Sequence, residues 1–168
     1  LQSSHGSTAL MFAADQGHEQ VVDLLLLRGA GVNLQDSNGF TALMIAAQAG
    51  HERVIGLLLK HGAGINLQSN KGITALMVAA NNGHERVIEL LLQHGAEIRH
   101  GAEINLQNRH GITALMYAAS QGHSAVVRRL LRAGADTART VDGKTALQWA
   151  KENGHAECVR ALEEHSST

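Results

Sequence analysis

The chain has 168 residues, of which 44% are apolar and 17% charged, and its formal net charge is −1. The apolar content is sufficient for a packed core, and the near-neutral charge argues against nucleic acid as a partner. No apolar run approaches the roughly 18 residues of a membrane span, so we expect no membrane association. The lone Cys158 and the absence of an Asn-x-Ser/Thr sequence indicate a cytoplasmic or nuclear protein.

A short phrase, Thr-Ala-Leu, recurs along the chain, and a Gly-His pair follows each copy at a constant distance. Successive copies are 33, 33, 39 and 32 residues apart. A period of this length is typical of arrays of supersecondary units that stack on one another. We call these segments units 1 to 5; their phrases begin at Thr8, Thr41, Thr74, Thr113 and Thr145.

Each unit predicts two helices and a turn. The Thr hydroxyl can cap a first helix, which we expect to end near a glycine such as Gly50. A second helix begins around His51-Glu52, and its apolar residues cover more than one face, so neighbouring units must bury both sides. Gly62 ends it, and the polar Asn70-Lys71-Gly72 predicts a hairpin turn, here called the finger, before the next unit.

Unit 2 contains Gly-Phe-Thr-Ala-Leu-Met-Ile-Ala-Ala at residues 39–47, then Gly50-His51, a Val-Ile-x-Leu-Leu-Leu helix and Gly-Ala-x-Ile-Asn at residues 62–66. This pattern resembles the ankyrin repeat, and the resemblance covers the whole chain. It implies an all-α, ankyrin-repeat solenoid of stacked helix-turn-helix units with β-hairpin fingers. One domain over residues 1–168 is expected, with repeats at about 1–33, 34–66, 67–105, 106–137 and 138–168.

The two ends of the array differ from its middle. Residues 1–6 match residues 34–39, so the chain begins inside a finger, which favours a piece of a longer array. In unit 5, Gln148 and Lys151 replace apolar residues, and such polarity is typical of a terminal cap.

Unit 3 carries six extra residues, because His94-Gly-Ala-Glu-Ile-Arg99 is followed at once by a second copy from His100. Either Gly95 or Gly101 could end the second helix. The alternatives are a looped-out hexapeptide and a helix prolonged through residues 96–99. We favour the loop, since lengthening a surface loop costs little free energy.

Fragments that imitate catalytic motifs each lack an essential residue. His51-Glu52 starts a zinc motif, but Ile55 stands where the second His is needed, and Ala138 replaces the first glycine of a phosphate-binding loop before Gly143-Lys144-Thr145. The Gly-His histidines are expected to bond to loop backbone, as the resemblance also implies, and Cys158 to be a packed thiol. We therefore expect no enzymatic activity, no metal and no cofactor.

Family resemblance implies a protein or peptide partner, held by the concave face of finger tips and first helices, with the chain acting as a monomer. The partner-binding positions it implies are Asn38, Phe40, Gln48, Asn70, Lys71, Ile73, Asn81, Asn82, Arg109, His110, Ile112, Tyr117, Ser120 and Gln121.

Three sets of apolar residues recur at fixed positions. Phe40, Ile73 and Ile112 predict an exposed apolar row on the fingers, the alternative being that they pack against the next finger. The recurrent Met of the first helices is expected in the core. A further row, also expected in the core, consists of Phe12, Ile45, Val78, Tyr117 and Trp149. The large rings of Tyr117 and Trp149 could still reach the surface.

Two other interpretations stay open. The near-identity of units 2 and 3 favours a designed scaffold with an inserted duplication and no natural ligand. Similar repeats are substrates of asparaginyl hydroxylases, and the matching positions here are Asn33, Asn66 and Asn105.

Overall fold

The computed structural model describes residues 3–97 and 103–166, and helices dominate these residues. The helices follow one another as pairs, one pair to a unit. First helices contact the first helices of neighbouring units and second helices contact second helices, which produces two layers. The helices are α1 (Ala9–Asp15), α2 (Glu19–Leu27), α3 (Ala42–Ala49), α4 (Glu52–Lys60), α5 (Ala75–Asn82), α6 (Glu85–Glu97), α7 (Ala114–Gln121), α8 (Ser124–Arg132), α9 (Ala146–Glu152) and α10 (Ala156–Ser166).

The predicted helix caps are confirmed. Thr41 is the N-cap of α3, and its hydroxyl accepts a hydrogen bond from the Met44 N–H at 3.3 Å; the other four Thr residues do the same. Gly50 ends α3 with φ of +80°, a left-handed conformation that glycine adopts without steric cost. The recurrent sequence therefore fixes where each first helix begins and, in units 2 to 4, where it ends.

The core lies between the two layers. In unit 2, Ala46 and Ala47 are fully buried, and their small side chains allow α3 and α4 to approach closely. Ile55 and Leu58 of α4 are also fully buried. The recurrent Met is buried in α1, α3, α5 and α7, which confirms the expected packing role.

The fingers are turns, and no β-strand forms within residues 3–97 or 103–166, so the predicted β-hairpins are not shown; one isolated antiparallel bridge joins Val141 and Lys144 in the finger of unit 5. In unit 2, Asp36 N–H donates to Phe40 O at 3.0 Å, and Gly39 N–H donates to Asp36 O at 2.9 Å. These bonds close a turn without leaving residues for a ladder. Backbone bonds join successive fingers instead, for example Asn70 N–H to Asn38 O at 2.9 Å.

The duplicated segment extends a helix, so the expectation of a loop that starts at Gly95 is wrong. Helix α6 has 13 residues and continues through Gly95 to Glu97, whereas α4 and α8 have nine residues each. Continuing the helix keeps the backbone hydrogen bonds, which offsets the roughly 1 kcal/mol that glycine costs in a helix. Residues 98–102 lie outside the described part of the chain.

After the insertion, the second copy occupies the regular position of the repeat. Glu103 N–H donates to the Asn66 side-chain oxygen at 2.9 Å. One unit earlier, Gly64 N–H makes the equivalent bond to Asn33 at 2.7 Å. The array therefore regains its register at residue 103.

Candidate interaction face

The Gly-His histidines are structural, as predicted. The His51 Nε2 atom lies 2.8 Å from the backbone oxygen of Asp15, in the preceding unit. Each later histidine repeats this contact at 2.9–3.0 Å: His84 with Gln48, His123 with Asn81 and His155 with Ser120. These rings join neighbouring units and are not arranged as metal ligands.

The lone cysteine, Cys158, is packed in the core, as predicted. Cys158 is fully buried, and burial raises the pKa of its thiol, so the sulfur is protonated and inaccessible. Within the described residues, no group of three His, Cys, Asp or Glu side chains is arranged to hold a metal ion. Every helix in that part of the chain is too short or too polar to span a bilayer.

The predicted apolar row on the fingers is half-buried. Phe40, Ile73 and Ile112 pack against the core at the base of each turn. Their backbone is also fixed, since the Phe40 N–H donates to the Asp36 side chain at 2.8 Å. Contact with the core corresponds neither to a fully exposed row nor to packing against the next finger, and a role for the three residues in binding stays a prediction.

The second apolar row is only partly buried. Ile45, Val78 and Tyr117 pack against the core, whereas Phe12 is exposed, so the expectation of a core position is wrong for Phe12. Phe12 is 60% exposed, and Ile45, Val78, Tyr117 and Trp149 are half-buried. Leu, Met and Ala side chains already fill the buried side of each first helix, which leaves this position at its edge. As expected for a large ring, Tyr117 reaches a polar partner, and its hydroxyl accepts from Asn108 at 3.0 Å.

Polar residues flank this row and link neighbouring first helices. Asn82 donates to the backbone oxygen of Gln48 at 3.4 Å, and Gln121 donates to the Asn81 side chain at 3.4 Å. We call this surface the first-helix face and define it by the apolar row and its exposed polar neighbours Gln48, Asn82 and Gln121.

The remaining predicted site residues divide by exposure. Asn81 and Ser120 are half-buried on the first helices, and their backbone oxygens accept the histidine bonds described above. The exposed residues lie on the fingers: Asn38, Asn70, Lys71, Arg109 and His110.

A cleft of about 350 Å³ opens on the first-helix face between α1 and α3. Its apolar part comes from Met11, Phe12 and Ile45, and Asp15 supplies a carboxylate. The complete lining is Ser7, Met11, Phe12, Asp15, Ile45, Gln48 and Ala49.

Sequence reasoning missed a row of glutamines under the fingers. The Gln35 side chain donates to Gly39 O at 2.7 Å and to Gln68 O of the next unit at 2.9 Å. Gln68 repeats both bonds, to Gly72 O at 3.0 Å and to Gln107 O at 3.2 Å. The recurrent triplet Asn-Leu-Gln at residues 33, 66 and 105 is the signal that could have revealed this row.

The asparagine of that triplet also joins units. Asn33 donates to Gly62 O at 3.1 Å and accepts from Gly64 N–H. Asn66 and Asn105 accept from the equivalent N–H groups of Glu103 and Asp136. Hydroxylation at these three positions stays a prediction.

Stacked helix pairs, capping Thr residues and bridging histidines are the features by which the family of this chain can be recognised. A family model described as "Ankyrin repeats (3 copies)" matches residues 10–101 and 98–167. The chain belongs to the ankyrin-repeat family. Ankyrin repeats are generally protein-interaction modules and are typically non-catalytic. A comparison with curated protein sequences gave no match.

Proposed function

We propose that this ankyrin-repeat chain is a non-catalytic module that binds a protein or peptide across the first-helix face and the finger tips of units 2 to 4. The observation that carries the proposal is the half-exposed apolar row along the first helices. In units 2 to 4 this row consists of Ile45, Val78 and Tyr117, all half-buried. It continues in unit 1 with Phe12, which is 60% exposed, and in unit 5 with the half-buried Trp149. Aromatic residues at such positions are frequent anchors of protein interfaces.

The surroundings of the row support this function. Exposed amide side chains of Gln48, Asn82 and Gln121 lie beside it and can donate or accept hydrogen bonds. An apolar centre with a polar rim is the usual anatomy of a protein interface. The near-neutral net charge also favours protein over nucleic acid as the partner.

The chain is proposed to act as a monomer, without a cofactor. The single cysteine, buried as a free thiol, supports the cytoplasm or the nucleus as its compartment.

Affinity capture with a face variant tests the proposal. Gln48→Arg, Asn82→Arg and Gln121→Arg together place three bulky cations on the first-helix face at exposed positions. The control, Gln20→Arg, Ala125→Arg and Ala133→Arg, adds the same charge at exposed positions on or next to second helices.

We expect a protein captured from lysate by the natural chain and by the control to be lost with the face variant. Circular dichroism must show that all three chains are folded. Capture by the face variant at the natural level would contradict the proposal. Empty lanes for all three would support a scaffold without a natural ligand.

A further inference from the structure

We infer that the cleft between α1 and α3 binds an apolar side chain of an extended peptide that carries a basic residue beside it, an inference that rests on the proposed function. Its volume, about 350 Å³, is near the lower end of the roughly 300–1,000 Å³ that ligand pockets have. A space of this size suits one or two side chains rather than a folded surface. Met11, Phe12 and Ile45 supply the apolar lining.

Asp15 gives the cleft its charge. It is exposed, and one carboxylate oxygen accepts from Gln16 at 2.8 Å. No Lys or Arg side chain pairs with it among residues 3–97 and 103–166, whereas Lys151 and Glu152, the other charged residues of the first helices, both have ion-pair partners. The carboxylate also lies at the negative end of α1, which adds to its attraction for a cation.

The fingers of units 3 and 4 carry exposed positive side chains, so the face is negative at Asp15 and positive further along the array. Lys71 and Arg109 are exposed in the fingers of units 3 and 4, and no carboxylate is paired with either in the described part of the chain. Of the acidic finger residues, Asp36 in unit 2 uses a carboxylate oxygen to accept from the backbone of its own turn, and the exposed Asp142 lies beyond Lys71 and Arg109, in the finger of unit 5. A partner with a basic end at unit 1 and an acidic end toward units 3 and 4 is therefore complementary to the face.

The spacing of the units sets the length of such a partner. Neighbouring helices pack about 8–10 Å apart, so two or three units span roughly 16–30 Å. An extended chain covers this distance with roughly five to nine residues. The partner segment is thus a short extended peptide in which the apolar and basic residues lie at one end and an acidic residue at the other.

Selection of a phage-displayed random dodecapeptide library on the full chain tests this inference. We expect enriched peptides to share a large apolar residue next to Arg or Lys, with Asp or Glu several residues away. Fluorescence anisotropy with an enriched peptide should show that Phe12→Ser and Asp15→Asn each weaken binding about five- to tenfold. Glu52→Gln, which removes an exposed carboxylate from α4, should change nothing.

Exchanging the two charges tests whether Asp15 contacts the basic residue of the peptide. A peptide whose basic residue is replaced by Glu should lose binding to the natural chain and regain it with Asp15→Lys. Enriched peptides without a basic residue, peptides insensitive to Phe12→Ser and Asp15→Asn, or no enrichment at all would overturn the inference. If such insensitive peptides are still lost with the Asn82→Arg, Gln121→Arg variant, the cleft assignment fails while the proposed function stands.

Discussion

At the residue scale, the Gly-His pair explains much of the fold. A Cβ atom on Gly50 would lie 2.8 Å from the His84 ring of the next unit, and one on Gly83 would lie 2.5 Å from the His123 ring. Real Cβ atoms do not approach other atoms so closely. The glycine therefore serves two needs: it adopts the left-handed conformation that ends the helix, and it leaves space for the histidine that joins the units.

Gly50→Ala is expected to destabilise the chain more than Gly62→Ala. Both glycines have φ near +80°, so alanine is strained at both by about 1–2 kcal/mol, but only Gly50 faces a ring, because nothing lies within 4 Å of a Cβ on Gly62. We predict a loss of about 1 kcal/mol for Gly62→Ala and about 3 kcal/mol for Gly50→Ala. Urea unfolding measures both, and equal losses would contradict the role assigned to the ring.

Ion pairs reinforce the contact between α6 and α8. Arg129 lies 3.1 Å from Glu89 and 3.2 Å from Glu85, and Arg86 also pairs with Glu89. The hydrogen bond from Arg86 and the charge of Arg129 hold the pKa of Glu89 below its ordinary value of 4.5, although burial acts in the opposite direction. The contribution of Glu89 to stability is therefore present above that value and lost as the pH falls through the lower pKa of the folded state.

Glu89→Gln should therefore lower the free energy of unfolding at pH 7. It should matter less at pH 3, because the carboxyl of the unfolded chain is then protonated and part of the contribution of the ion pairs is lost. Urea unfolding of the two chains at each pH provides the measurement. Glu52→Gln, at an exposed position of α4, should have little effect at either pH. A deficit for Glu89→Gln that is the same at pH 3 and pH 7 would show that its ion pairs do not cause it.

At the element scale, the duplication in unit 3 alters helix length while the repeat itself is preserved. Helix α6 absorbs the first residues of the extra copy, and Asn66 still receives the bond that restores the register, from Glu103. The register can be restored because the two copies have the same sequence: the second copy supplies the Gly-Ala-Glu-Ile segment that the first would have supplied.

Deleting residues 95–100 is expected to leave a folded chain with a uniform period of 33 residues between Thr41 and Thr113. His94 would then precede a glycine, as His61 precedes Gly62, and glycine at this place can adopt the left-handed conformation that ends a helix. Circular dichroism should show helix content per residue retained, and the urea midpoint should stay the same or rise. A lower midpoint would show that the lengthened α6 stabilises the array.

Sequence predicted the elements of this fold better than the exposure of their side chains. The Thr caps, the Gly ends and the structural histidines follow from local rules that hold in every unit, so they could be derived from residues such as Thr41 and Gly50. The exposure of the two apolar rows could not be derived in this way, because burial depends on the angle at which neighbouring units stack. Phe12 was expected in the core and is exposed; Phe40 was expected at the surface and packs at the base of its finger.

The same limit explains why a loop was predicted at Gly95 where α6 continues. A tandem copy with two candidate capping glycines has two nearly equivalent registers, and sequence alone does not choose between them. Continued backbone hydrogen bonding in α6 favours the helix through Gly95. The cleft, likewise, depends on the distance between α1 and α3, which no single unit specifies.

At the scale of the whole molecule, the array is held together by contacts between neighbouring units. Histidine rings, the glutamine row and finger-to-finger bonds each join one unit to the next. Such an architecture leaves the first-helix face continuous across units, which suits an extended partner. We propose that this face, and not the layer of second helices, binds the partner.

Site-specific photo-crosslinking identifies the surface that contacts the partner. A photoreactive phenylalanine analogue replaces Gln48 on the first-helix face in one chain and Ala125, exposed on α8, in another, and both are irradiated in lysate. We expect a discrete crosslinked protein from position 48 and none from position 125. A crosslinked partner at position 125 alone would contradict the proposal.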